Sequence, residues 1–331
     1  MDDTNLHPAP VWLNTQYLQP ILCNYKKDQG LTIKKLEIKP ATAKGGNYCR
    51  VMTRVIVTFK LSNNKAECGS YIVKTTHEGD PFVAGIMNDY DVHRTEMLMY
   101  EQILPKLTEL LRGIGDDDKL FADTIYVDYE HSAIMFEDLS AQKFVITDRL
   151  AGMDEAQTVM SLKKLAKMHA TASVLNERMP GILTQLQKGI INRSTKGFAP
   201  YFEGILDAVA AFAEKCPTLG SYYKRKLLKL KPYTMEYGAC AIDPQTGHFL
   251  TLTHGDMWTN NVMLRYSDKQ NGVVKARASR AIEDIVLIDF QYSAWTSPTA
   301  DLHYFFQNIV HRMQREDELV QHYHGFLADT L

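Results

Sequence analysis

Between two apolar runs the sequence places Thr253-His254-Gly255-Asp256-Met257-Trp258-Thr259-Asn260-Asn261-Val262-Met263, a dense group of polar, catalytically useful side chains in one short loop. Loops displayed by a rigid scaffold are where binding and catalytic groups concentrate. Asp256 can accept a proton, and Asn261, five positions on, can offer an amide oxygen to a hard cation. A second carboxylate, Asp289, closes the β-branched run of Ile285, Val286 and Ile288, 28 positions after Asn261. Magnesium takes oxygen ligands and usually borrows several from phosphates, so one Asn and one Asp suffice when ATP completes the shell. The chemistry these residue types suit is phosphoryl transfer to a hydroxyl.

The five-residue step from Asp256 to Asn261, followed by a strand, matches the spacing of the kinase catalytic loop, where the Asp takes the acceptor proton and the Asn holds a metal ion. The chemistry also permits His254, Asp256 and His303 to hold a transition metal, but no helical i, i+4 pair anchors them and the Asn261–Asp289 pairing explains the loop better. His254 reads as structural, because Asp256 already supplies a base. Asp301 reads as a buried brace for the loop, and His169 as a hydrogen-bonded core histidine.

These residues need elements to carry them. Residues 1 to about 30 hold enough apolar side chains to pack as a helix. After the Gly45-Gly46-Asn47 turn signal, Val51 to Phe59 and Tyr71-Ile72-Val73-Lys74 read as strands joined at Asn63-Asn64. Between Met87 and Leu111 the apolar residues Met97, Tyr100, Leu104, Leu107 and Leu111 follow helical spacing, with Pro105 expected to kink the helix or to start a second one. Two further strands are expected at Thr124–Val127 and Ala133–Phe136. Beyond Gly152 the pattern turns helical, with Asp154 and Gln157 spaced as a capping box and Leu162, Leu165, His169 and Ala172 on one face. Residues 180 to 235 read as largely helical, and short strands are expected near Leu250–Leu252, Val262–Leu264 and Ile285–Ile288.

Composition bounds the partners. The 331 residues are 45% hydrophobic and 23% charged, the range of a soluble globular protein of about two domains. A formal charge of −2 offers no broad electrostatic footprint for nucleic acid or an anionic membrane, so a small molecule is the expected partner and no protein partner is implied. Five scattered cysteines, a polar acidic start and no apolar run of membrane-spanning length together predict reduced thiols and a cytoplasmic location.

His254-Gly255-Asp256 with Trp258 and Asn261, then Asp289-Phe290-Gln291, resemble the signature of the ecdysteroid-kinase-like (CHK kinase-like) family, relatives of choline kinase and aminoglycoside phosphotransferases. Tyr71-Ile72-Val73-Lys74 resembles the family's strand lysine, and Glu96 with Tyr100 and Pro105 its helix carrying the partner glutamate. Phe136-Glu137-Asp138-Leu139 resembles the interlobe hinge, Leu165 to Ala170 the first long helix of the large lobe, and Ser297-Pro298 with Asp301-Leu302 the segment after the metal loop. The resemblance covers nearly the whole chain. It implies an α+β protein-kinase-like two-lobe fold: a small antiparallel β lobe with one helix over residues 1–137, and a mainly helical large lobe over 138–331.

It also implies an ATP-dependent kinase acting on a hydroxyl of an ecdysteroid-like or other apolar alcohol. Gly46, Asn47 and Tyr48 would cover the phosphates, and Lys74, paired with Glu96, would grip them. The backbone of Glu137, Asp138 and Leu139 would receive adenine, Asn261 and Asp289 would carry Mg2+, and Asp256 would orient the acceptor. Each has a plainer reading: Lys74 a solvated edge lysine, Glu96 an exposed helix charge, the paired glycines an ordinary turn. The sequence departs from protein kinases in lacking His-Arg-Asp and Ala-Pro-Glu and in having too few residues after Gln291 for an activation segment. Relatives continue with further helices, so either a shortened form or an incomplete chain is expected. A nucleotide- or steroid-binding pseudokinase is the alternative. Phe202, Phe212, Tyr222 and Tyr223 are the apolar candidates for the acceptor pocket, and a choline-type acceptor would need an aromatic and acidic cage.

Overall fold

A computed structural model describes residues 9–41, 50–76, 81–193, 195–243, 247–267, 281–307 and 315–331, without the side chains of 50, 81–84, 86 and 196. The expected phosphate-covering residues Gly46, Asn47 and Tyr48 lie outside the described residues. The chain forms two compact units. One comprises Met1–Asp80, Met97–Lys164 and Thr259–Asp289, the other Pro81–Glu96, Leu165–Trp258 and Phe290–Leu331.

The first unit is built on a five-stranded antiparallel sheet of β1 (Thr32–Pro40), β2 (Arg50–Lys60), β3 (Ala66–Thr76), β4 (Thr124–Asp128) and β5 (Ala133–Glu137), in the order β1-β2-β3-β5-β4. The β2–β3 hairpin closes at the expected asparagine pair, where Asn64 takes a left-handed conformation (φ 68°) that asparagine tolerates. Strand β1 escaped the sequence reading because Lys34, Lys35 and Lys39 interrupt its apolar alternation.

Period-2 geometry divides the sheet residues between two faces. Val55, Val57, Phe59, Tyr71, Val73, Ala133 and Met135 join Leu18, Ile21 and Leu22 of helix α1 (Thr15–Lys26) in one buried cluster. The alternate residues, including Arg54, Ile72 and Lys74, therefore face the other way. That second face is covered by helical chain: the Tyr100 and Phe136 rings meet edge-on at 4.5 Å between centroids. Lys74, opposite Ile134 in the ladder, is only 6% exposed, which excludes a solvated edge lysine.

The helix expected between Met87 and Leu111 is broken into pieces. After α2 (Pro81–Tyr90), Asp91 turns left-handed (φ 58°). Then follow α3 (Val92–Leu98), a π-helical turn over Met99–Ile103, and α4 (Leu104–Gly113) with Pro105 in its first turn. Proline has no amide to give and is tolerated at a helix start. A wider turn before it lets α4 begin afresh.

A three-stranded antiparallel sheet in the order β6-β8-β9 completes the unit: β6 (Phe144–Ile146), β8 (Val262–Tyr266) and β9 (Ile282–Leu287). It is tied to the preceding loop by the buried Lys164 ammonium, which meets Asp118, the Lys119 carbonyl (2.9 Å) and Asp284 (2.8 Å). A charge buried this deeply requires such partners.

The second unit is mainly helical. It holds α2, the remainder of α5 (Glu155–Arg178) beyond Lys164, α6 (Ala199–Lys215), α7 (Gly220–Leu230), α8 (Thr234–Ile242), α9 (Thr299–Phe306) and α10 (Glu316–Thr330). A two-stranded ribbon pairs β7 (Thr251–Thr253) with β10 (Ala294–Thr296). Among the described residues of 180–198 the chain is mostly irregular, where helix was expected. Cys23, Cys68, Cys216 and Cys240 are free thiols, and no helix among the described residues is long and apolar enough to cross a membrane.

The antiparallel sheet with helical chain between β3 and β4 is the expected small-lobe pattern of a protein-kinase-like fold, and the α5 start is as the sequence dictates. The Asp154 carboxylate accepts from the Gln157 amide at 2.9 Å while the Gln157 side chain accepts from the Asp154 amide at 3.1 Å. Asp154→Ala should lower stability by about 1 kcal/mol, read as a drop in the thermal midpoint. A midpoint identical to that of the wild type would show that the reciprocal cap contributes nothing.

Candidate active site

Strand pairing in the first unit explains why two distant residues meet. Because Val262 lies opposite Leu287 in the β8–β9 ladder, the residues just before β8 and just after β9 share one end of the hairpin. The Ile288 amide accordingly donates to the Asn261 carbonyl at 3.0 Å, which sets Asn261 beside the segment carrying Asp289. Lys74 reaches the same place: its Nζ donates to Asp289 Oδ1 at 3.0 Å. Three of the sequence-selected residues thus converge within one unit.

Asp289 takes a left-handed backbone conformation (φ 69°). Non-glycine residues enter this region at some cost, Asp and Asn most readily. Asp289 and Asn261 offer hard oxygen donors, the kind magnesium accepts when phosphates and water fill its remaining positions. Among the described residues no group of three His, Cys, Asp or Glu side chains is arranged to hold a metal ion, and this excludes the His254–Asp256–His303 alternative.

The expected hinge lies where β5 ends. Asp138 caps a short 3-10 turn over Leu139–Gln142, accepting from the Ser140 amide at 3.1 Å. Its carboxylate also takes Arg54 Nε at 2.7 Å and the Ser70 hydroxyl at 2.6 Å. Burial opposes its charge, but Arg54 and Ser70 outweigh burial and hold the carboxyl below its ordinary range. Glu137 is bound to Lys119 and to the Asp123 amide. Both acidic side chains are thus occupied in bracing the turn, with Leu139 buried beside them.

The second unit holds Glu96, which is 1% exposed on α3 and so not a surface charge, and the loop after β7. The buried Asp301 carboxylate organises that loop. It accepts from the His254 amide at 2.6 Å, the Gly255 amide at 2.8 Å and His169 Nε2 at 3.0 Å. His169 completes its bonding by accepting, at Nδ1, the Tyr323 hydroxyl at 2.7 Å. Asp301 is the brace and His169 the core histidine that the sequence suggested. Burial disfavours the Asp301 charge, yet His169, His254 and the Gly255 amide more than compensate and leave its pKa below normal.

Gly255 is required by its surroundings. Its φ is +82°, and a Cβ there would stand 2.0 Å from the Tyr292 carbonyl oxygen. His254, fully buried, lies tilted against Phe290 at 4.6 Å between ring centroids and accepts the Asp256 amide on Nδ1 at 3.3 Å. It is structural, as expected. Asp256 itself is half-buried. Sequence reading missed one neighbour: Tyr304, on α9, whose phenol is pushed well above its ordinary ionisation range by burial and by the charge of Asp256. A tyrosine three positions after Asp301 was the available signal, but helical phase relative to the loop is set only by packing.

Of the proposed acceptor-pocket residues, Phe212, Tyr222 and Tyr223 are exposed. Phe202 belongs instead to a cluster with Phe198 and Tyr201, at centroid distances of 5.8 and 5.5 Å. Phe198 in turn meets Tyr90 at 5.2 Å.

The ecdysteroid kinase-like family profile matches residues 44–331, and the chain belongs to that family. That family is one of small-molecule kinases in the general sense. No curated protein matches the chain. Among solved structures, an ethanolamine kinase of Plasmodium vivax is similar at 12% identity and a TM-score of 0.40, over 95% of this chain and 74% of the other.

Two substitutions test the loop. Gly255→Ala combines a steric conflict with a left-handed conformation costing about 1–3 kcal/mol, and should lower the denaturation midpoint accordingly. Asp301→Asn should also destabilise, with a defined pH dependence. Because the folded pKa of Asp301 is depressed, its stabilising contribution is complete above the unfolded value of about 3.9 and is lost as pH falls through the folded value. The stability gap between wild type and variant in urea titrations should be widest near neutrality and close in acid. A gap independent of pH would refute the ionised brace.

Proposed function

We propose that this protein transfers the γ-phosphoryl group of ATP, with Mg2+, to a hydroxyl of an ecdysteroid-like or other apolar alcohol. The observation that carries this reading is the convergence of Lys74, Asn261 and Asp289 on one end of a hairpin, in a chain of the ecdysteroid kinase-like family. A lone lysine–carboxylate pair is a common structural contact. One standing beside a second oxygen donor, at kinase spacing, is what a magnesium–phosphate site requires.

In this reading Lys74, with Glu96 as its partner, neutralises phosphate charge, and Asn261 and Asp289 hold the metal. Adenine meets the backbone of Glu137 to Leu139, and Gly46, Asn47 and Tyr48 cover the phosphates. Asp256 takes the acceptor proton as the hydroxyl oxygen bonds to the γ-phosphorus and ADP leaves. Positioning and charge neutralisation supply most of the rate. The acceptor is a small molecule, the location cytoplasmic, and the lobe boundary lies near residue 138.

A screen of hydroxylated steroids, phenols and choline for magnesium-dependent phosphorylation tests the acceptor class. Asp256→Asn should cut turnover by about 10²- to 10⁴-fold while sparing ATP binding. Lys74→Met should cripple turnover in a folded protein, and Asp289→Asn should abolish the magnesium dependence of nucleotide binding as well. Wild-type turnover in Asp256→Asn would remove the base assignment. Magnesium–ATP binding with no phosphorylation of any acceptor would make the protein a pseudokinase.

A further inference from the structure

The overall charge of −2 conceals a local concentration of one sign. Between residues 215 and 235 stand six basic side chains, Lys215, Lys224, Arg225, Lys226, Lys229 and Lys231, and no Asp or Glu. The remainder of the chain is therefore net acidic. Four of the six lie on α7, a helix with no buried residue.

Helical phase sorts these charges into two kinds. Gly220, Lys224, Leu227 and Lys231 recur at the spacing of one face and are half-buried. Both lysines on that face are paired with α6: Lys224 Nζ meets Glu214 at 2.7 Å and Lys231 Nζ meets Asp207 at 2.6 Å. These pairs show which side of α7 looks outward. The opposite side carries Tyr222, Arg225, Lys226 and Lys229, and Tyr233 follows four positions on; all five are exposed. Arg225 donates to the Ser221 hydroxyl at 3.4 Å, and the Lys226 ammonium stands 4.9 Å over the Tyr222 ring. Among the described residues no carboxylate meets Arg225, Lys226 or Lys229.

Three uncompensated cations on one helix face call for an anionic partner, and their neighbours decide which. Exposed Tyr223 and Leu230 border the stripe on one side and exposed Leu228 on the other. Leucine gains nothing from a phosphate backbone, whereas the boundary between lipid headgroups and acyl chains takes leucine and tyrosine together with Lys and Arg. We propose, independently of the phosphoryl-transfer reading, that the outward face of α7 docks on an anionic phospholipid surface. Arg225, Lys226 and Lys229 meet the headgroups, and Tyr222, Tyr233 and the flanking leucines meet the acyl boundary. Binding through three charges and a few shallow apolar side chains is reversible and weakens with ionic strength.

Sedimentation of the protein with vesicles tests this, comparing phosphatidylcholine alone with an equal mixture of phosphatidylcholine and phosphatidylserine. Each basic side chain at such a surface contributes about fivefold in partitioning, so the mixed vesicles should bind on the order of a hundredfold better. Raising the salt to about 1 M should remove the difference. The triple variant Arg225→Gln, Lys226→Gln, Lys229→Gln should lose about a hundredfold on mixed vesicles, with its thermal midpoint unchanged. Lys34→Gln, Lys35→Gln, Lys60→Gln takes the same charge from exposed lysines of β1 and β2 and should bind as the wild type does. Leu228→Gln with Leu230→Gln should weaken binding about tenfold and leave its salt dependence intact.

Equal binding of the wild type to the two kinds of vesicle would overturn the proposal without recourse to any variant. So would wild-type binding by the α7 triple variant, or an equal loss in the β1–β2 triple variant, which would reduce the effect to net charge. Retention of a single-stranded oligonucleotide or of polyglutamate, with no binding to the mixed vesicles, would assign the face to a nucleic acid or an acidic protein and overturn it too.

Discussion

A buried carboxylate must be given donors or be neutralised, and the second unit is arranged around that demand at Asp301. Its two oxygens take two consecutive loop amides and an imidazole, whose other nitrogen is supplied by Tyr323 of α10. Four segments of chain therefore depend on a single charge: α5, the β7 loop, α9 and α10. The bond from Thr251 Oγ1 to the His169 carbonyl at 2.7 Å draws β7 onto the same helix. Asp256 follows directly on two residues whose amides both donate to Asp301.

The first unit solves its positioning problem by strand register instead. Asn261 and Asp289 are far apart in sequence, yet the pairing of Val262 with Leu287 puts them at one hairpin end. Lys74 is delivered from β3, opposite Ile134, on the sheet face away from the α1 cluster. A slip of one residue in β3 would exchange Lys74 for Val73 on that face, so the apolar core fixes where the cation points.

Much of this was legible in the sequence because the relevant signals are local. The capping box at Asp154 and Gln157, the restart at Pro105, the turn at Asn63-Asn64 and the loop spacing of Asp256 and Asn261 each rest on a few neighbouring residues. What stayed hidden depends on tertiary placement. The lysines in β1 mask a strand whose pairing with β2 decides its conformation, and the left-handed turn at Asp91 interrupts a stretch whose apolar spacing continues as helix. The role of Asp138 as a structural cap depends on Arg54 and Ser70, which are remote from it in sequence. Tyr304 could not be connected with Asp256 until α9 had a rotational setting.

The left-handed backbone at Asp289 bears on how any substitution there can be interpreted. Alanine, the usual truncation, would remove a carboxylate and also occupy a conformation that β-carbon sterics disfavour. Glutamate would keep the charge while losing the short side chain that makes this conformation tolerable. A defect in either variant would mix chemistry with backbone cost. Asparagine alone matches the shape, the local hydrogen-bonding habit and the left-handed tolerance of aspartate, so at this position it is the replacement whose effect can be assigned to charge.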